Sequence, residues 1–265
     1  MSELSRIYRQ EPKTPYDPKR SLLRGVFPAL FWLAVWEAIS LIVGAELLVP
    51  SPRRVVLRWL ELAGTPKFWL STALSLGRVA LGFAAGTFIG VLLAFLTRYF
   101  GLARLLLTPV IRVVRAVPVA SFIILALVWL KSRQLPFFIA ALMAFPVVYR
   151  NVLEGIRGTS RALLEMAQVF RVPLSRRLRG IYLPQVLPYF RAAADTALGL
   201  SWKAGTAAEV IGLCSGTIGE RLYTAKVYFQ TADLFAWTAV IVLLSALFEK
   251  LFLRGVDALT ERWYA

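Results

Sequence analysis

The chain has 265 residues, of which 58% are hydrophobic and 17% charged, with a net charge of +16, no histidine and one cysteine. Soluble domains carry about 25% charged residues, and a soluble chain this apolar would expose more hydrophobic surface than it could bury, so the composition points to a bilayer. The lack of histidine excludes His-based triads, His general bases and His metal ligands within this chain. Cys214 alone cannot close an intrachain disulfide. No G-x-x-x-x-G-K-[ST] loop is present either, because Lys203 follows Trp202. The basic residues fall mostly between apolar runs, where they act as orientation signals, and this placement argues against nucleic acid as a partner.

Residues 1–24 are polar and basic, and no small-residue cleavage site follows the first apolar run. They read as a cytoplasmic tail leading into a retained helix, with residues 25–265 forming one transmembrane domain. The expected fold class is an all-α membrane protein of about six transmembrane helices. The first span is Val26 to Ala45, interrupted by Glu37, and the second, Val79 to Thr97, has no charge. Leu105 to Leu130 follows, apolar but for Arg112, Arg115 and Pro118. The fourth, Leu135 to Tyr149, is short and expected to be broken by Pro136 and Pro146. Tyr189 to Leu213 contains Asp195, Lys203 and Glu209, and Leu234 to Leu253 is the last span. With the N-terminus inside, the inner connections hold eighteen Lys and Arg against nine outside, which predicts cytoplasmic termini. Gly82, Gly86 and Gly90 recur every four residues on one face of the second span, a pattern for close helix packing.

The connection from Arg150 to Pro184 is long. Leu163, Leu164, Ala167 and Phe170 give it a helical apolar pattern. After Arg171-Val172-Pro173 a basic helix resumes with Arg176, Arg177 and Arg179, expected to stop at Leu183-Pro184. Such an amphipathic pair needs either a protein partner or the lipid headgroups.

Here the sequence resembles a known family. Glu165-Met166-Ala167, with Ile181-Tyr182-Leu183-Pro184 sixteen residues later, resembles the EAA loop of binding-protein-dependent ABC importer permeases. The motif's glycine falls on Arg171 and its middle alanine on Met166. Val49-Pro50-Ser51-Pro52, Ser75-Leu76-Gly77-Arg78, Arg115-Ala116-Val117-Pro118 and Ala207-Ala208-Glu209 are similar to the nitrate/sulfonate/taurine branch. The branch's W-F-G-x-G-like turn is replaced by Val128-Trp129-Leu130-Lys131-Ser132-Arg133-Gln134, which has no glycine. The resemblance covers roughly residues 45–262.

What the resemblance implies is a type I ABC importer permease fold in the bacterial plasma (inner) membrane, multi-pass, with a cytoplasmic coupling-helix loop at about 150–184. It implies ABC ATPase subunits that bind ATP and Mg, so this chain holds no cofactor of its own. It implies an extracytoplasmic solute-binding protein and a second permease protomer, expected as a homodimer within membrane lipid. The ATPase contact is expected from Leu163, Leu164, Glu165, Ala167, Phe170, Arg171, Leu183 and Pro184. The chain itself would perform no chemistry.

Charges at membrane depth usually face a bundle interior, a partner or a cavity. Arg115 and Lys203 each lie about 14 residues, roughly 21 Å, from the inner starts of their spans. With Arg112 and Glu209 they form a candidate translocation path. Pairing of the cations with Glu37, Asp195 or Glu209 is the structural alternative, and both readings stand at this stage. The competing function is a secondary transporter or channel working without ATP. That class carries inverted repeats, and residues 25–130 and 135–260 show no convincing similarity. A membrane enzyme would need paired carboxylates, histidine or a metal site, and the acids here are scattered.

Overall fold

A computed structural model describes residues 18–264, and all its regular elements are helices. The expected tail lies outside the described residues as far as residue 17, and α1 (Pro18–Val43) already runs through its end. The first helix stops where Gly44 takes φ +62°, a left-handed conformation that glycine adopts without a Cβ clash. The return strap is tied to α1 by Trp36 Nε1 donating to the Pro50 carbonyl at 3.1 Å and Ser40 Oγ donating to that of Val49 at 2.9 Å.

Two Ser/Thr-Pro pairs then start helices. Ser51 caps α2 (Pro52–Ala63), accepting the Arg54 N–H, and Thr65 caps α3 (Pro66–Tyr99), accepting that of Phe68. In both, proline sits in the first turn, where its missing N–H costs nothing. Arg58 of α2 pairs with Asp233 and with Glu61, which together hold its guanidinium above its ordinary pKa.

The third span is not one helix. It is α4 (Gly101–Ala116) and α5 (Val119–Ala126), bent by 104° at Val117-Pro118. Val117 is extended (φ −79°, ψ 133°), as a residue ahead of proline prefers. The bend falls just beyond Arg115, so only the residues after Val117 leave the straight rise expected along 105–130. The fourth span departs the other way: α6 (Leu135–Arg157) runs unbroken through Pro146, and Pro136 occupies its first turn. Proline inside a membrane helix is tolerated where neighbours satisfy the freed groups, and Pro146 is buried.

Beyond α7 (Arg161–Val169), α8 (Leu174–Arg177) runs through a π turn at Leu178–Tyr182 directly into α9 (Leu183–Ile211). The expected stop at Leu183-Pro184 does not occur. The wider π turn shifts the ladder just ahead of Pro184, whose ring would otherwise strike a carbonyl one turn back. The chain finishes with α10 (Ile218–Val227) and α11 (Thr231–Tyr264).

Among the described residues, four helices are long and apolar enough to cross a bilayer: Val26–Val43, Pro66–Tyr99, Ser132–Arg157 and Thr231–Ala258, with the bent α4–α5 pair as a fifth if it counts as one span. The 29-residue α9 falls short because it carries Arg191, Asp195, Lys203 and Glu209. It nevertheless packs in the centre. Ala193, Ala194, Ala197 and Leu198 lie in one core with Phe83, Ala144, Val148 and Val152. Ser201 Oγ donates to the Ala140 carbonyl at 3.0 Å, and Trp202 Nε1 to that of Ile241 at 3.1 Å.

The seam between α3 and α6 is made by Gly82, Gly86 and Gly90. A Cβ on them would lie 2.3, 2.4 and 2.8 Å from the carbonyl oxygens of Phe137, Ala141 and Phe145. The opposite face of α3 is apolar and open, with Leu81 and Phe88 exposed, as lipid contact requires.

Candidate coupling surface and translocation face

The α7 segment is held at both ends. The Ser160 N–H donates to Gln185 Oε1 at 2.9 Å, fastening its start to α9. At its end the Arg171 N–H donates to the Gln168 carbonyl (3.1 Å) and the Val172 N–H to that of Ala167 (2.9 Å). This pair of hydrogen bonds is the Schellman termination, which places a left-handed residue at the position Arg171 fills. Arg171 has φ +51°. The tight turn is therefore made with arginine in the glycine position of the motif. Arg177 Nε donates to the Val172 carbonyl at 2.7 Å and secures the next turn.

The loop has two apolar faces. Ala167 is buried against its own chain and Leu164 is half-buried. The outer face carries Leu163 (39% exposed), Met166 (51%), Val169 (78%) and Phe170 (74%), with Glu165 exposed beside them. Ala167 therefore packs α7 against its own chain. The sequence pattern Leu163, Leu164, Ala167, Phe170 straddles both faces, and the outer face also holds Met166 and Val169. Leu163, Met166 and Val169 follow one another at i+3, which is the signal the sequence carries for this face. Leu183 and Pro184 are half-buried at the start of α9.

Arg112 and Arg115 on α4 and Lys203 on α9 are all exposed. Among the described residues their side chains make no ion pair or hydrogen bond, with Glu37 and Asp195 included. Glu209 separates from them, because it is fully buried. Its Oε2 accepts Ser75 Oγ–H at 2.7 Å and the Gly219 N–H at 3.1 Å, while Ser75 Oγ accepts the Ile218 N–H at 2.9 Å. The carboxylate thus sits on the N-terminus of α10, where the helix dipole and free N–H groups favour negative charge. Thr217 caps the same turn. A Cβ on Gly219 would lie 2.2 Å from that of Glu209, so α9 and α10 touch at backbone distance. The Ser75-Leu76-Gly77-Arg78 and Ala207-Ala208-Glu209 stretches therefore meet in one knot joining α3, α9 and α10, buried inside the protomer.

Residues 86–263 match the profile of the family described as the binding-protein-dependent transport system inner membrane component. The chain is 27% identical to the aliphatic sulfonates transport permease protein SsuC of Bacillus subtilis, over 95% of this chain and 91% of that one. It is 26% identical to the taurine transport system permease protein TauC of Escherichia coli, over 86% and 85%. A solved amino acid ABC transporter superposes with a TM-score of 0.58 at 16% identity, covering 74% of this chain and 94% of that chain, a likeness of fold. Family, relatives and fold agree, and the chain belongs to the inner membrane components of binding-protein-dependent transport systems: it is a permease subunit of an ABC importer, working with ATPase and binding-protein partners and not itself the ATPase.

Proposed function

We propose that α7 is the docking helix of this permease and that Leu163, Met166, Val169 and Phe170 seat it on the ATPase subunit. The observation that carries this is the exposed apolar outer face of α7, held rigid by the Schellman turn and by Gln185. Four large apolar side chains facing water on a short helix call for a partner surface. ATP and Mg are held by that partner. ATP energy then acts by biasing two arrangements of α9, which α8 and the π turn connect directly to α7.

In this reading α7 and both termini face the cytoplasm, residues 25–265 act as one permease domain, and two identical chains form the pathway. The run of the helices supports the shared side. α1 ends at the strap that leads to the start of α3, whose far end meets the π turn beyond α7, and the Arg191–Asp257 ion pair sets the end of α11 beside the first half of α9. The exposed, unpartnered Arg112, Arg115 and Lys203 line a route for a small anionic solute. Aliphatic sulfonates, named for one of these relatives, fit that charge. The test is reconstitution with the ATPase and binding protein. Met166→Asp with Phe170→Asp should abolish solute-stimulated ATP hydrolysis and loosen ATPase co-purification. Unchanged stimulation would refute the docking assignment.

A further inference from the structure

On the same side of the molecule as α7, a groove of about 830 Å³ opens between the C-terminal half of α3, the π turn, the start of α9 and Phe252 of α11. Its walls are almost wholly apolar, dominated by Phe88, Phe95 and Phe190. From Ala84 to Tyr99 the groove follows α3 for roughly 22 Å at the helical rise. One leaflet of hydrocarbon is about 15 Å deep, half of a core of about 30 Å. The trough is long enough for an acyl chain.

The end entered from the coupling loop has another character. Tyr99, Leu174 and Arg179 line it. Arg179 is exposed, and its side chain makes no ion pair or hydrogen bond among the described residues. Tyrosine and arginine at the head of an apolar trough match the membrane interface, where one end of a ligand is wet and charged and the other is oil. A free anion would find one guanidinium and no polar wall below it, whereas a phospholipid matches both ends.

We propose that this groove holds one anionic phospholipid, with its phosphate at Arg179 and an acyl chain lying along Phe95, Phe88 and Ala84. The assignment rests on the reading that the α7 side faces the cytoplasm, the leaflet that carries the anionic headgroups. The π turn forms part of the wall. The bound lipid therefore braces the joint through which α7 moves α9.

The test uses the assembled transporter in phosphatidylcholine vesicles doped with a diazirine-tailed lipid, either phosphatidylglycerol or phosphatidylcholine. Photolabelled peptides are mapped by mass spectrometry. Phosphatidylglycerol should label the 83–99 and 178–190 segments about fivefold more than phosphatidylcholine, the preference expected of one basic side chain at the surface. Arg179→Gln should bring that ratio to about one, and Ala84→Trp, which fills the trough, should remove labelling from both segments. Equal labelling by the two lipids in the unaltered chain, or a ratio unchanged by Arg179→Gln, would overturn the headgroup assignment. Absence of label from both segments, as when a second copy of the chain covers the groove, would overturn the lipid itself. The readout needs no ATP hydrolysis, so it stands or falls separately from docking at α7.

Discussion

Gly86 is the position where one added carbon can be followed furthest. A Cβ there would sit 2.4 Å from the Ala141 carbonyl oxygen, 2.9 Å from the Ala141 Cα and 2.9 Å from the Ala144 Cβ. Two of these atoms are backbone, so no rotamer change relieves them. α3 and α6 must separate, and the opening spreads to Gly82 and Gly90, which meet the same helix at 2.3 and 2.8 Å. Overpacking of a filled core costs about 1–3 kcal/mol. Gly86→Val, with two further methyls in the seam, belongs at the upper end, about 3 kcal/mol. At about 2–4 °C per kcal/mol for a chain of this size, its thermal midpoint in detergent should fall by about 6–12 °C. Gly77→Ala is the control on the same helix: nothing lies within 4 Å of its added Cβ. Removing a mid-helix glycine there should leave the midpoint unchanged or raise it, by up to about 1 kcal/mol. Equal effects at the two positions would refute the claim that the α3–α6 seam is a backbone contact made by glycine.

Arg171→Gly should stabilise the α7 turn by about 1 kcal/mol, because it removes the Cβ penalty of a left-handed residue; a thermal midpoint raised by a few degrees checks it, and a lowered one contradicts it. Glu209→Gln keeps the shape of the knot but replaces the carboxyl that accepts the Ser75 hydroxyl and the Gly219 N–H. It should cost about 1–3 kcal/mol and loosen α10 first, read as faster amide exchange at residues 218–220. Lys203→Gln should slow solute uptake in reconstituted vesicles while ATPase co-purification stays normal; full uptake would remove Lys203 from the pathway.

The apolar runs located the membrane helices because spans are long and their signal is local. The break at Val117-Pro118 was harder to see: the run from Leu105 to Leu130 is apolar on both sides of the bend, and hydropathy carries no direction. Pro146 misled in the opposite sense, since a buried proline inside a tightly packed helix leaves α6 intact. At α7 the sequence located the helix but not its rotation. Both of its faces are apolar, one toward its own chain and one toward solvent, and only the three-dimensional setting tells Ala167 from Met166. The meeting of Ser75 with Glu209, 134 residues apart, lies beyond any local pattern. The charge of Glu209, read as lining a path, instead fastens α9 to α10.

Phe170 gives the most direct measurement of coupling through α7. It is 74% exposed on the free chain, and burying a phenylalanine side chain on docking is worth about 1.5–3 kcal/mol. Titrating the ATPase subunit onto reconstituted permease, with solute-stimulated ATP hydrolysis as the readout, should show Phe170→Ala raising the half-maximal ATPase concentration by about 10–100-fold. Ala162→Ser, a mild change on the same exposed helix, should leave it unchanged. A Phe170→Ala titration that superimposes on that of the unaltered chain would contradict docking at this surface.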